Sequence, residues 1–590
     1  MKRMVLIRLL ATASALLLLA APGCNEAPEL TSPPSSSPED HEFDQGSGIA
    51  AREVTPNQAQ NLALLAKVWG FAKYHHPKVT AVGVNWDYEL FRALPSVLAA
   101  PDRGSAAAAM VTWLDRLGTV PACGPCATSP TDAQLPADNA WISDVATLGT
   151  ALSGRLQTIL RNRPILPSQR YVSFAPSVGN PDFSAEQRYT ALTSPDAGYR
   201  MLALYRFWNI IRYWFPYRDV MNEDWSGVLL EFIPVMMRSM DGDAYRLALI
   251  RLIARVHDTH ANIWSDLRVQ PPTGTSEAPL ILRFVENTLV VTGYSHATLG
   301  PATGLKVGDE IRSIGGVSVE ALVDSLKPYY PASNEPTRLR DIARNVTRGS
   351  GPVTLAGVGA SGSFSTSVDR APISTLDRAR ASVHDLPGST FRMLTDSVAY
   401  LKLSSVVAAS AASYVEQAQG AKVLVIDIRN YPSEFVVFAL GGYLVGSAAP
   451  FARFTAGDAT NPGAFRWSAT VAHTPRTPRF TGSVVILVDE VTQSSAEYTA
   501  MAFRVAPGAI VVGSTTAGAD GNVSRIPLPG NVEGMISGIG VFYPDGGATQ
   551  RIGIVPDLVV RPTVAGIRAG RDEVLEAGVS RALGREFRLP

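Results

Sequence analysis

The segment VVILVDEVTQSSAEYTAMAF, Val484 to Phe503, decides how the carboxy-terminal part of this chain is read. The apolar run Val484 to Val488 has the length and composition of a buried strand. A short polar turn follows, and a helical pattern opens at Ser494 and Ser495. A serine at such a strand-to-helix turn sits beside free backbone N–H groups and the positive end of the helix dipole. Nucleophile and oxyanion stabilisation can share one site there. A plainer reading stands beside it: Ser494 caps the helix, and Glu497 three residues on completes a capping box.

Around this segment, from about residue 365, strand patterns alternate with helical stretches: VAYLKL, KVLVIDIR, SVVILVDE, AIVVG, GIGVFYPDG and GIVPDLVV. That alternation predicts a layered α/β domain over residues 363–590. Residues 273–362 differ in character. LILRFVENTLVVTGY offers two short strands joined by Glu-Asn, and GLKVGDEIRSIGGVSVEALVDSL gives a turn, a strand, a Gly-Gly turn and a helix. Upstream lies an internal repeat. Trp69, Tyr74, Pro77, Trp86 and Pro95 fall on Trp208, Tyr213, Pro216, Trp225 and Pro234, each 139 residues on, within apolar patterns of helical period. Two related helical units are expected, 56–150 and 195–272, joined by a linker over 151–194. Their aromatics read as core, and His75 and His76 as surface or cap residues.

The amino terminus reads as an export signal over residues 1–24: Lys2, Arg3 and Arg8 precede an apolar run ending at Leu19, followed by Ala20-Ala21-Pro22-Gly23-Cys24. It resembles a bacterial lipoprotein cleavage site, which implies lipidation of Cys24 and a membrane anchor in the cell envelope. The other reading is an ordinary secretory signal with an incidental cysteine. Residues 25–55, rich in Ser, Pro and Glu, are expected to be a disordered tether. No later stretch of ~20 apolar residues suggests a membrane span. The 590 residues need several domains, and the 46% hydrophobic content can fill their cores. A formal net charge of zero removes the electrostatic footprint of a nucleic-acid binder. Cys123 and Cys126 stand in Cys-Gly-Pro-Cys with loop-like flanks, which favours a structural disulfide over thiol–disulfide exchange.

Gly304-Leu305, Gly308-Asp309 and Ile314-Gly315-Gly316 resemble a PDZ domain, although APLILRF stands where its carboxylate-binding loop would be. The order of helical region, PDZ-like module and α/β domain, over 195–590, resembles the carboxy-terminal processing (tail-specific) serine peptidases and the tricorn protease core. The resemblance implies a multidomain α+β protein: helical amino-terminal repeats, a PDZ-like β-rich module and a ClpP/crotonase-like α/β peptidase domain. The family's Ser-x-x-Glu matches Ser494 to Glu497, which selects Ser494 as nucleophile and gives Ser495 an N–H in the oxyanion hole. Ala519 occupies the position of the tail-specific lysine, and no lysine follows Lys422. The tricorn-like alternative is a histidine base. RVHDTHANIW (Arg255 to Trp264) resembles its Asp-x-His-Ala signature, which points to His260, with Thr259 and the residue near Gln550 as supports. As a zinc site His257 and His260 form neither a His-Glu-x-x-His motif nor a pair with nearby cysteines. Where the family carries Asp-x-Arg-x-Asn-x-Gly-Gly, this chain has Asp427 to Glu434 with Pro432, which lacks an N–H, so Ser433 is the candidate second donor. Gly518, in the loop TTAGADGN, is expected to line the cleft.

These readings imply an exported serine endopeptidase acting on peptides or unfolded segments, with no metal or organic cofactor. The competing class is a surface lipoprotein that binds peptides on the same scaffold with weak or lost catalysis. The sequence leaves the oligomeric state and the natural substrate open.

Overall fold

The computed structural model describes residues 40–81, 83–265 and 267–589. The expected signal peptide, Cys24 and most of the tether lie outside them. Among the described residues no helix is long and apolar enough to cross a membrane. The chain is a mixed α+β protein with a helical amino-terminal region and, among the described residues, two six-stranded and two three-stranded sheets besides two small ones.

The repeat is visible as a local pseudo-dyad. Helices Pro56–His75, Trp86–Ala99 and Arg103–Asp115 are matched by Ala197–Trp214, Trp225–Met237 and Gly242–Ala254. Their side-chain caps keep the same offset: Asn85 and Asp224, then Asp102 and Asp241. In each unit two tryptophans exchange indole N–H bonds with one another's carbonyls: Trp69 with Trp86 (3.1 and 3.0 Å) and Trp208 with Trp225 (2.6 and 3.0 Å). Equivalent residues also meet across the dyad. Tyr74 and Tyr213 pack edge to face with centroids 5.4 Å apart. Asn209 donates to the equivalent carbonyls of Ala66 (3.0 Å) and Tyr205 (2.8 Å). Its counterpart must be Gly70, because a Cβ there would come within 1.9 Å of the Asn209 amide.

Beneath the dyad Lys73, Asp87, Glu186 and Arg206 form a buried quartet, with Lys73 Nζ 2.6 Å from Glu186 and Arg206 Nη2 2.6 Å from Asp87. Such a group must be complete to be tolerated away from water. Glu186 comes from the expected linker, which is therefore packed, and its first residues belong to helix Val145–Arg161. Residues 40–55 also depart from the tether reading. Phe43 seats against Tyr88 and Phe91, and Ser47 bonds Asp196. His75 and His76 are buried rather than superficial, and burial lowers them to about 3 and about 4; His76 does cap the next turn, accepting from Lys78 N–H. Cys123 and Cys126 form a disulfide.

Residues 280–368 build a six-stranded sheet in the order 362–368, 353–359, 310–314, 288–294, 280–285, with Val317–Ser318 on the 310–314 strand. The last strand pairs with 353–359 as far as Val368, so this unit runs past the expected boundary at 362. The carboxy-terminal sheet has the order 391–395, 398–402, 423–427, 483–488, 510–513, 558–559, parallel except for its first pair. Both faces are covered, which explains its unbroken apolar runs. Ile486 and Val488 face the core containing helix Ser495–Phe503, and Val485 and Leu487 face helix Glu573–Leu583.

Candidate active site

Ser494 ends the turn between strand Ser483–Val488 and helix Ser495–Phe503, at φ +56° and ψ −120°. A non-glycine residue in this region carries backbone strain of about 1–3 kcal/mol, a pattern that clusters at functional sites. Its surroundings hold it there. The Ser494 N–H lies 3.0 Å from the Ala519 carbonyl and 3.3 Å from the Glu497 carboxylate. Glu497 is fully buried and also accepts from Thr516 Oγ1 (2.5 Å), Gly518 N–H (2.8 Å) and Ala519 N–H (3.0 Å). One carboxylate thus ties the start of the helix to the glycine-rich loop. Burial raises its pKa, and the four donors oppose that rise.

His260 is positioned by strand pairing. The short strand Asn262–Ile263 joins hairpin 523–537 with Met535 opposite Asn262. Two residues further along this antiparallel register put Ser537 beside His260, and the Ser537 hydroxyl lies 2.9 Å from His260 Nδ1. The same hydroxyl donates to Asp258 Oδ1 (3.0 Å), which also receives the His260 N–H (3.1 Å) and the Gln550 amide (3.2 Å), while Oδ2 takes Ser537 N–H (2.7 Å). A hydroxyl has one hydrogen. With that hydrogen given to Asp258, Ser537 accepts from His260, so Nδ1 carries the proton and Nε2 keeps a free lone pair. That is the tautomer a general base requires.

Thr259, expected to support the base, bonds elsewhere: its hydroxyl donates to Ala517 O (3.2 Å) and accepts Ser333 N–H (2.9 Å). It therefore anchors the residue before His260 to the loop whose Ala519 anchors Ser494. Gln550 touches Asp258 rather than Thr259. Arg340 donates to Glu490 O (2.8 Å) and Gln493 Oε1 (3.0 Å), just before Ser494. Burial lowers the pKa of His260, the Asp258 charge opposes, and Arg340 adds to the lowering. Arg283, on strand Leu280–Val285, pairs with Asp489 (3.0 Å) and Glu490 (2.6 Å) in the turn before Ser494.

Two expectations need correction. Ser433 cannot lend its N–H to an oxyanion, because that group donates to Leu403 O (2.9 Å) and the hydroxyl to Val406 O (2.6 Å). Gly518 does not line an open cleft: it is buried at φ +65°, where a Cβ would meet the Arg551 backbone at 2.9 Å. Ser495 opens the helix, where the first N–H groups have no intrahelical acceptor. The supports missed from sequence, Ser537 and Asp258, are placed by strand register; only the Asp258-x-His260 spacing hinted at one of them.

The profile of peptidase family S41 matches residues 397–560. No curated protein matches the chain. Among solved structures, mature CPAF complexed with lactacystin superposes with a TM-score of 0.51 at 12% identity, over 63% of this chain and 95% of that one. Mature CPAF gives a TM-score of 0.50 at 12% identity, covering 63% and 94%. The photosystem II D1 C-terminal processing protease aligns at 18% identity over 66% of this chain and 99% of its own, with a TM-score of 0.39. At such identities the CPAF likeness is one of fold. The family match begins at the strand preceding the Asp427 segment and ends beyond Gln550, so this part of the carboxy-terminal domain is similar to peptidase family S41.

Proposed function

We propose that the chain is a serine endopeptidase in which Ser494 attacks the scissile carbonyl while His260 Nε2 takes its proton. The tetrahedral oxyanion is received by the Ser495 N–H at the helix start. His260 then protonates the leaving amine, and water, deprotonated by the same nitrogen, hydrolyses the acyl-enzyme. The observation that carries this reading is the strained Ser494 elbow, whose N–H is bonded to the loop that also anchors the residue before His260. The family match supports hydrolysis of peptides or unfolded protein segments. The amino-terminal sequence supports export with a lipid at Cys24, and the glycine turns of 304–316 support a PDZ-like, tail-recognising role for the β-rich unit.

A second reading, a peptide-binding lipoprotein with weak catalysis, is favoured by one observation: Pro432 has no N–H and that of Ser433 is already committed. Losing one oxyanion donor costs roughly a hundredfold or more in rate. Fluorophosphonate labelling with site mapping separates the two. The endopeptidase reading expects modification of Ser494 that vanishes in Ser494→Ala and His260→Ala. A folded wild type that neither labels nor cleaves peptides would leave the binding reading.

A further inference from the structure

One turn beyond Ser494 an aromatic patch opens that the chemistry above does not use. Tyr498 N–H bonds the Ser494 carbonyl (3.0 Å), so Tyr498 stands one turn into the helix that Ser494 precedes. The Phe435 ring stacks on Tyr498 with centroids 6.2 Å apart and planes at 12°. Phe435 meets Phe438 at 5.9 Å, and Phe438 rests on Phe451 at 6.1 Å, itself 5.4 Å from Tyr498. The inner rings are buried, while Phe435 is 39% and Phe438 44% exposed. Topology puts them at this end of the sheet. They follow strand Val423–Asp427, whose parallel neighbour Ser483–Val488 leads to Ser494, so both segments leave the carboxyl ends of adjacent strands.

The patch carries little charge. His473, stacked on Phe451 at 4.5 Å, gives its Nε2–H to Ala502 O (2.9 Å), and burial disfavours its protonation. The Glu434 carboxylate beside Phe435 accepts the Ala408 N–H (2.7 Å). A buried aromatic layer thus supports two open rings, and its Tyr498 stands one turn along the helix from half-buried Ser494. Scattered apolar residues on a surface need no explanation, but a supported apolar cluster at a reactive group does.

We propose that Phe435, Phe438 and Tyr498 form an apolar subsite that receives a large aromatic or branched aliphatic side chain of the peptide next to the scissile bond. The inference rests on the serine-peptidase reading. It gives the segment that directly follows the altered Asp427–Glu434 region a role in substrate choice.

The test uses the full chain and internally quenched peptides that differ at one position, Phe, Leu, Ala or Asp, with the cleaved bond mapped by mass. Wild type is expected to favour Phe and Leu over Ala by about tenfold or more in kcat/KM, as apolar pockets allow. In Phe435→Ala and Phe438→Ala that ratio should collapse toward one, and Phe438→Leu should keep part of it. Both phenylalanines are exposed, so the substitutions spare the core. A ratio unchanged in both alanine variants, or a wild-type preference for Ala or Asp, overturns the subsite. A shift in sedimentation with no change of ratio also overturns it, and identifies the patch as a contact between copies. Labelling of wild-type Ser494 without side-chain selectivity sinks the subsite alone. Absence of both labelling and cleavage sinks the subsite together with the peptidase reading.

Discussion

His260 Nδ1 lies 2.9 Å from the hydroxyl oxygen of Ser537, a residue 277 positions away in sequence. Asp258 completes the contact by accepting the Ser537 hydroxyl at 3.0 Å. The acid reaches the imidazole through a serine, so it fixes the tautomer without touching the ring. Asp258→Asn would offer an N–H where an acceptor is needed and disturb the order of donors. We expect kcat to fall by roughly 10²-fold or more, within the ~10⁴ that a wrong tautomer costs in a serine triad, with KM little changed. Ser537→Ala should lose less, because Nδ1 can find water. Steady-state kinetics of an Asp258→Asn variant at the wild-type kcat would sink the relay.

Burial sets the direction of the pH profile. It lowers the His260 pKa, with Arg340 adding and Asp258 opposing. The acid limb of kcat/KM should therefore fall below the ordinary histidine value of ~6.5. Removing the Arg340 charge, as Arg340→Gln, should move that limb upward. A limb at or above 6.5 in wild type would contradict the buried, neutral base.

Much of this arrangement was legible in residue order and some of it could not be. The 139-residue offset survives because Trp69, Trp86, Trp208 and Trp225 are bulky and unambiguous, and each fills a hydrogen-bonded place in the core. The strand, turn and helix around Ser494 follow from an apolar run and local helix-start chemistry. Ser537 carried no such signal: a serine in GMISGIG is an ordinary strand residue until register sets it opposite His260. Ser433 misled for a related reason. Sequence shows that Pro432 lacks an N–H, but only tertiary packing shows that the neighbouring N–H is taken by Leu403. Glu186 was hidden in a stretch read as a linker, since its partners Lys73 and Arg206 come from two separate helices.

Asp520 offers a test of the loop that holds Ser494. It is buried, one oxygen accepts Gly521 N–H (2.6 Å), and the other has no hydrogen-bond partner among the described residues. Burial first, and then the neighbouring Glu497 charge, raises its pKa well above the usual carboxylate range. A raised carboxyl pKa gives stability that is fully present below the unfolded value near ~3.9 and lost as pH rises through the folded value. Asp520→Asn needs no proton to stay neutral. Its melting temperature should match wild type near pH 4 and exceed it increasingly toward pH 8, by roughly 2–4 °C per kcal/mol recovered. A difference independent of pH would show that Asp520 is ionised in the folded protein.

The buried quartet makes the last prediction. Lys73, Asp87, Glu186 and Arg206 are each almost wholly out of water, two of either sign, and Arg206 also donates to the Pro527 carbonyl (2.7 Å) in the hairpin that carries Ser537. Removing one member leaves an unpaired buried charge, so Lys73→Met and Glu186→Gln should each cost about 3–5 kcal/mol. Together they restore neutrality. The double variant should therefore lose less than the sum of the two, with a coupling of roughly 1–3 kcal/mol in urea unfolding. Additive losses would mean that the charges are hydrated and act separately. A large coupling with impaired Ser494 labelling in the single variants would tie the helical repeats to the site, through Arg206 and the hairpin that positions His260.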